Sequence, residues 1–245
     1  MSDHARKVLN VSGPDARTFL QGLVTNDVAR LDEGLVYAAL LTPQGKLRCD
    51  FFLVPDGENI LIDVAADQAA SLMQVLTLYK LRSDVAITET DRQVSRGTGP
   101  APTGAFADPR DPRMGWRGYD GQPDQPADWD ALRVACALPE MGVELGPDTF
   151  ILEAGFERLN GVDFKKGCYV GQEVTARMKH KTELRKGLAQ VQVTGEAPVG
   201  SDITKDGKPV GTLFTQSGGQ AIAYLRFDRA TGEMSAGDAT VRYDG

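Results

Sequence analysis

The chain has 245 residues, enough to bury a sizeable hydrophobic core, and its composition, 41% hydrophobic and 25% charged, is typical of a globular protein. Its formal net charge of −7 argues against nonspecific binding to nucleic acid and to anionic membranes. The polar N-terminus lacks a signal-peptide core, and the longest apolar run, around residues 38–41, is far too short to span a bilayer. We therefore expect neither nucleic acid nor a membrane among its partners.

Residues 1–94 are interpreted as the N-terminal part of an α+β body. A segment with strand character precedes Gly13 and Pro14, which favour a turn, and apolar residues then recur at helical spacing. Further along, strand-like segments alternate with turns that contain Pro and Gly. In chain order, the predicted elements are a strand followed by a helix (8–31), a strand meander (35–65), a helix (66–83) and a strand (84–90).

The rest of the sequence divides into three parts. Residues 95–128 are rich in glycine and proline, which predicts a long loop or joint. Residues 129–184 continue the α+β body and include one short helix that ends near Pro139. Residues 185–245 alternate short strands with turns, among them an Asp-Gly hairpin signal, and predict a small closed barrel or a sandwich.

The three cysteines, Cys49, Cys136 and Cys168, are odd in number and widely spaced. This spacing offers neither a disulfide framework nor a zinc site of the CxxC type. We therefore predict no metal site built by this chain alone and expect a protein of the reducing cytoplasm.

Cys168 lies in the segment KKGCYVGQE, residues 165–173, between two lysines and a predicted helix. The thiolate is the nucleophilic and metal-binding form of cysteine, and nearby cations and a helix N-terminus both favour it. Gly167 and Gly171 would permit the tight backbone geometry that exposes a side chain. We interpret Cys168 as a reactive thiol; the alternative is a solvated turn in which the cysteine is a small apolar filler.

A nucleophilic cysteine enzyme of the Cys-His type needs a base, and the chain has only His4 and His180. His4 lies in the terminal segment, and His180 belongs to a basic run that is typical of a solvated helix end. A hydrolase with a Ser-His-Asp or Cys-His arrangement is therefore poorly supported.

The segment KKGCYVGQE closely resembles the signature of the YgfZ-type folate-binding proteins, a family related to the T-protein, the aminomethyltransferase of the glycine cleavage system. The segments VSGPDARTFLQGLVTNDV, LLTPQGKLRCDFFL and YKLRSDV are similar to family segments in the same order. The resemblance implies an α+β fold of three subdomains in a ring, with ferredoxin-like elements and a C-terminal β barrel. It also implies a tetrahydrofolate-type cofactor and a role in assembly or repair of iron-sulfur clusters, with client enzymes and cluster carrier proteins as partners.

The resemblance also assigns site residues. Lys166 and Cys168 correspond to the functional pair of the family motif, and we expect them to act in catalysis. Trp129 would stack on the pterin, Glu153 would hydrogen-bond its edge, and Arg185 would approach the folate, which are interactions that suit a flat heterocycle with an anionic tail. The full set expected to bind the cofactor is Trp129, Glu153, Arg185, Tyr169 and Gln172.

Two departures from the T-protein leave the question of an enzyme open. The position aligned with its catalytic aspartate is Ala70, although Asp67 is close, and the T-protein lacks the thiol of the Gly-Cys-Tyr segment. Two alternatives to a cluster assembly factor therefore remain. The first is a tetrahydrofolate-dependent aminomethyl or one-carbon transferase, and the second is a folate-sensing regulatory protein without chemistry.

Overall fold

The computed structural model describes residues 5–180 and 184–245, and the chain divides into two compact units. Unit 1 comprises Met1–Ala127 and Glu157–Val174, and unit 2 comprises Asp128–Phe156 and Thr175–Gly245. Each unit is thus assembled from two separate stretches of the chain.

Unit 1 contains a five-stranded antiparallel sheet with the order β2-β3-β4-β1-β5. Its strands are β1 (Arg6–Ser12), β2 (Val36–Leu41), β3 (Leu47–Asp56), β4 (Asn59–Ala65) and β5 (Ala86–Glu89). All six residues of β2 are buried, and β3 is buried on both faces from Cys49 to Val54. These strands therefore read as continuous apolar runs rather than as alternating ones, and the predicted meander is confirmed.

Two α-helices and a 3₁₀ helix accompany this sheet: α1 (Ala16–Gln21), α2 (Ala66–Lys80) and Val28–Asp32. The turn before α1 needs glycine, because Gly13 has a φ of 111° and a Cβ there would lie 2.3 Å from the carbonyl oxygen of Asp84. Helix α2 buries Ala69, Leu72 and Leu76 along one face. The predicted strand-turn-helix and the predicted helix over residues 66–83 are both found.

The stretch from 95 to 128 is more ordered than the long loop expected from its composition. It contains a three-stranded sheet with the order β6-β8-β7 and a short 3₁₀ helix. The elements are β6 (Ser95–Gly97), β7 (Phe106–Ala107), the 3₁₀ helix Pro112–Met114 and β8 (Trp116–Gly118).

Buried ion pairs attach this small sheet to the rest of unit 1. The carboxylate of Asp63, on β4, accepts from Arg6 Nε at 2.6 Å and from Arg117 Nη1 at 3.0 Å. Asp108 accepts from Arg110 Nη2 at 2.7 Å and from Arg117 Nε at 3.3 Å. Burial alone would raise the pKa of both carboxyl groups, but the guanidiniums outweigh it, so each pKa lies below its ordinary value. The pair between Arg117 and Asp63 joins residues 54 positions apart, so no local sequence pattern contains it.

Unit 2 is built around a closed barrel of six strands with the order β10-β11-β12-β9-β14-β13. The strands are β9 (Lys186–Thr194), β10 (Ser201–Lys205), β11 (Lys208–Ser217), β12 (Gln220–Arg226), β13 (Glu233–Ala236) and β14 (Ala239–Arg242). Ile203, Leu213 and Leu225 are completely buried in its core. Asp206 and Gly207 both have positive φ, as a two-residue type I′ hairpin requires. The barrel, rather than the sandwich, is confirmed.

Two helices complete the described elements. Helix α3 (Trp129–Ala135) packs against β11 and β12 of the barrel, and helix α4 (Gln172–His180) starts at the end of the KKGCYVGQE segment. Within the part of the chain that the structure describes, no helix has the length and apolar character needed to cross a membrane.

Candidate functional site

Cys168 is exposed in the irregular segment that leads into α4, whereas Cys49 and Cys136 are buried. Burial in β3 raises the pKa of the Cys49 thiol, which keeps that group protonated and inert. Of the three thiols, Cys168 is therefore the one that a partner or a reagent can reach. The observation agrees with an accessible thiol, and the reactivity of this thiol stays a prediction.

Lys166, two residues before this cysteine, points into unit 1 and is 7% exposed. Its ammonium group donates to three main-chain carbonyl oxygens, those of Gln21 (2.8 Å), Val24 (2.6 Å) and Asn26 (2.9 Å). Burial lowers the pKa of Lys166 to about 8, while the carboxylates of Asp27 and Asp163 act in the opposite direction. With its three protons directed at carbonyls, Lys166 anchors the segment that carries Cys168.

A second anchor lies just before Lys166. Thr25 Oγ1 donates to the carbonyl oxygen of Gly161 at 2.7 Å, and the N–H of Asp163 donates back to the carbonyl oxygen of Thr25 at 3.0 Å. The side chain of Asn26 donates to the carbonyl oxygen of Asn160 at 2.7 Å. Thr25 and Asn26 are therefore site-supporting residues to which the sequence interpretation assigned no role. Their only signal in the sequence was two polar residues directly after the apolar Leu23 and Val24.

A third anchor lies after the cysteine. Gly171 has a φ of 82°, and a Cβ there would lie 2.6 Å from the carbonyl oxygen of Thr42. Gly45, in the same turn as Thr42, approaches Val174 so closely that a Cβ would lie 2.7 Å from Val174 Cβ. Both positions thus require glycine, and they hold the start of α4 against the β2–β3 turn. By contrast, Gly167 has no positive φ and open space around it, so the expected need for glycine applies to Gly171 alone.

Tyr169 and Gln172 flank the cysteine on its other side. Tyr169 is 8% exposed, and the Lys166 ammonium lies 5.1 Å from the centre of its ring. The N–H of Gln172 donates to the carbonyl oxygen of Tyr169 at 3.2 Å. Tyr169 therefore packs inward with Lys166, and within residues 166–172 only Gly167 and Cys168 are exposed.

Glu153, the expected pterin ligand, lies in unit 2 with its side chain 11% exposed. Its Oε2 accepts from the Tyr224 hydroxyl at 2.6 Å, and its Oε1 lies 3.6 Å from the Lys186 ammonium. Burial and this hydrogen bond raise the pKa of Tyr224, so the hydroxyl remains a donor. Because a Cβ at Gly187 would lie 2.8 Å from the Glu153 carbonyl oxygen, the glycine allows β9 to approach this residue.

Trp129 and Arg185 also belong to unit 2. Trp129 is half-buried as the first residue of α3, whose N-terminus is capped by Asp128 accepting from the N–H of Ala131. Arg185 is exposed directly before β9, and its carbonyl oxygen accepts from the N–H of Phe227 at 2.9 Å. The structure thus places Trp129, Glu153 and Arg185 in unit 2, whereas Lys166, Cys168, Tyr169 and Gln172 belong to the stretch Glu157–Val174 of unit 1.

Comparison with known proteins defines the class of this fold. Residues 185–244 match the family model of the C-terminal β-barrel domain of CAF17. The structure resembles the crystal structure of aminomethyltransferase T of the glycine cleavage system from Bartonella henselae, with a TM-score of 0.75 and 16% identity over 96% of this chain and 81% of that one. The chain therefore has the fold of the T-protein with a CAF17 barrel, and the expected fold class is confirmed.

Two fungal relatives show which family within this fold class the chain belongs to. The chain is 32% identical to a homolog of the mitochondrial iron-sulfur cluster assembly factor IBA57 from Phaeosphaeria nodorum, over 92% of this chain and 70% of the relative. It is 31% identical to the corresponding protein of Neurospora crassa over 75% of this chain, and the match spans 51% of that longer relative. The chain belongs to the IBA57 family of iron-sulfur cluster assembly factors. The expected cytoplasmic location is wrong on this comparison, because both relatives are named as mitochondrial proteins.

Proposed function

We propose that this protein takes part in the assembly of iron-sulfur clusters and that Cys168 is the thiol that meets the cluster or its carrier. The observation that carries the proposal is an exposed cysteine on a segment fixed to unit 1 before and after it, while the two other cysteines are buried. A fixed segment presents its thiol in one geometry, which reduces the entropy lost when a partner binds. The names of the relatives support the same role.

Cys168 would act as one ligand among several. Within residues 5–180 and 184–245, no group of three or more His, Cys, Asp and Glu side chains is arranged to hold a metal ion. A cluster that meets Cys168 would therefore take its other ligands from a carrier protein or a client enzyme. On coordination, the Cys168 thiol loses its proton to solvent and its sulfur forms a bond to iron.

We also propose tetrahydrofolate, or a derivative of it, as a ligand of unit 2. The Glu153 carboxylate fits a pterin, because among residues 5–180 and 184–245 the partner of its Oε1 is the Lys186 ammonium at 3.6 Å, which leaves this oxygen capacity to accept from an N–H group. Trp129 would cover a ring face, and the exposed Arg185 would pair with the anionic tail. When bound, the folate would supply a carrier for one-carbon groups.

The test compares Cys168→Ala with Cys136→Ala, a matched loss of a thiol at a buried position. In cells that lack the protein, the Cys136 variant should restore the activity of cluster-dependent enzymes, whereas the Cys168 variant should restore less than about a tenth of it, as expected for the loss of a metal ligand. A thermal shift with tetrahydrofolate should be the same for Cys168→Ala as for the unchanged protein, because the folate residues are untouched. Full restoration by Cys168→Ala would remove this thiol from the mechanism.

A further inference from the structure

Unit 1 contains a cavity of about 440 Å³ that the functions above do not use. It lies at the N-terminal end of β2, between the 3₁₀ helix Val28–Asp32 and strand β7. Phe106 and Pro109 form an apolar wall, and Arg30 and Glu33 place one charge of each sign on the wall contributed by the helix and the turn after it. Leu35 forms a further part of the lining.

The strand at this cavity is an edge strand with one uncovered position. Along the outer edge of β2, the Ala39 carbonyl accepts from the N–H of Thr25 at 3.0 Å, and the Tyr37 carbonyl accepts from the Asn26 side chain at 2.8 Å. Successive residues of an antiparallel strand alternate in the direction of their N–H and C=O groups, so Leu35 continues the outward series of 39 and 37. Residues 24–26 therefore cover the edge only as far as Tyr37.

Leu35 leaves two hydrogen-bonding groups unused at this edge. Among the described residues, neither its N–H nor its C=O has a hydrogen-bond partner, although the residue is only 8% exposed. Buried main-chain groups are nearly always paired, since an unpaired one costs about 1–3 kcal/mol. Leu35 lies directly before the first residue of β2, and a donor and an acceptor on one such residue match the acceptor and donor of one residue in an extended chain.

We propose that this cavity binds an extended peptide segment of a partner protein, which pairs with Leu35 and inserts an apolar side chain against Phe106 and Pro109. The peptide residue opposite Leu35 exchanges two main-chain hydrogen bonds with it, as in β-strand addition. The apolar wall selects an apolar side chain of the peptide. Arg30 can pair with an acidic residue beside it, and Glu33 with a basic one. The volume of the cavity lies within the range of ligand pockets, about 300–1,000 Å³, and is small enough to agree with a single free position on the edge.

The cavity is already formed, because hydrogen bonds fix its walls. Asn160 Nδ2 donates to the carbonyl oxygen of Pro109 at 2.9 Å, and the carbonyl oxygen of Asn160 accepts from Asn26 Nδ2 at 2.7 Å. Little ordering is therefore needed when a peptide binds. The Asn26 carbonyl oxygen also accepts a hydrogen bond from the Lys166 ammonium, so one residue supports both the cavity and the segment of Cys168. Peptide binding nevertheless needs no thiol, and it stands apart from the chemistry proposed for Cys168.

The test uses a library of pentapeptides capped at both ends, selected on the immobilised full-length protein. We expect enriched sequences that share one apolar residue and bind Phe106→Ala at least tenfold more weakly than the unchanged protein. Leu78→Ala is the matched control, because Leu78 is an exposed apolar residue of α2 that does not line the cavity, and its variant should bind normally. Cys168→Ala should also bind normally, which separates this proposal from the proposed function.

Two measurements keep the proposal falsifiable if Phe106→Ala fails to fold. A set of selected peptides, each N-methylated at one position, should include one member with at least tenfold weaker binding, because the methyl group removes the donor to Leu35. Hydrogen exchange at the Leu35 amide should slow when the parent peptide is bound. The absence of any enriched sequence, or a bound peptide that leaves exchange at Leu35 unchanged, would overturn the proposal.

Discussion

Replacement of Lys166 by methionine tests whether this residue anchors the segment of Cys168. Methionine keeps the length and apolar character of the side chain but leaves the carbonyl oxygens of Gln21, Val24 and Asn26 without their donor. Hydrogen bonds to a charged group contribute about 1.5–3 kcal/mol each. The loss of three is offset in part because the ammonium no longer has to be buried, which is the effect that lowers the pKa of Lys166 to about 8. We expect a decrease of about 3 kcal/mol in the free energy of unfolding of unit 1.

The assay is urea unfolding followed by tryptophan fluorescence. The two tryptophans lie one in each unit, so a Trp129→Phe background leaves the buried Trp116 as a reporter of unit 1. Lys165→Met is the matched control, because Lys165 is exposed, and its effect should stay within about 0.5 kcal/mol. If both variants unfold at the same urea concentration as the parent protein, Lys166 does not anchor the segment of Cys168.

Two further predictions concern the same unit. Gly171→Ala forces a side chain into positive φ and against the Thr42 carbonyl oxygen, so we expect about 2–3 kcal/mol of destabilisation. Gly167 has open space around it, and Gly167→Ala should change the free energy of unfolding by less than about 0.5 kcal/mol. Equal urea midpoints for the two variants would contradict this prediction. The pKa of Asp63 in the folded protein lies below its unfolded value of about 3.9, so between these two pKa values the unfolded state binds more protons than the folded state. The stability that this group contributes above about pH 4 is therefore lost as the pH falls through the folded pKa. Urea unfolding of unit 1 between pH 6 and pH 3 measures this loss. The Asp63→Asn variant should be less stable than the unchanged protein at pH 7, and its stability should depend less on pH in the acid range. A free energy of unfolding of the unchanged protein that does not vary with pH over this range would be inconsistent with the buried ion pairs.

Local patterns were sufficient to locate most elements. Helix α2 followed from apolar residues at helical spacing, and the barrel hairpin at Asp206 followed from an Asp-Gly pair whose backbone preference is local. The segment from 95 to 128 was interpreted as a loop because it is rich in glycine and proline. Its strands are only two or three residues long, which is too short to produce a periodic pattern. Their order depends on Arg117 pairing with Asp63, which is 54 positions away in the sequence, and no local pattern contains that information.

The candidate site shows the same division. The composition of KKGCYVGQE was enough to single out Cys168, whereas the burial of Cys49 in β3 was found only in the structure. The binding of folate by Trp129, Glu153 and Arg185 stays a prediction. The pairing of Tyr224 with Glu153 and the uncovered edge at Leu35 were found only in the folded chain, because each depends on which residues a neighbouring strand or turn brings close.

By itself, the sequence determined most elements outside residues 95–128, a barrel or a sandwich over residues 185–245, and the motif that marks the thiol, since spacing and turn chemistry act over a few residues. Only the tertiary structure decided what the lysine of that motif does. Its three acceptors lie 140 to 145 positions earlier in the chain, and they converge on one ammonium because the packing of unit 1 brings these carbonyls together where buried acceptors need a donor.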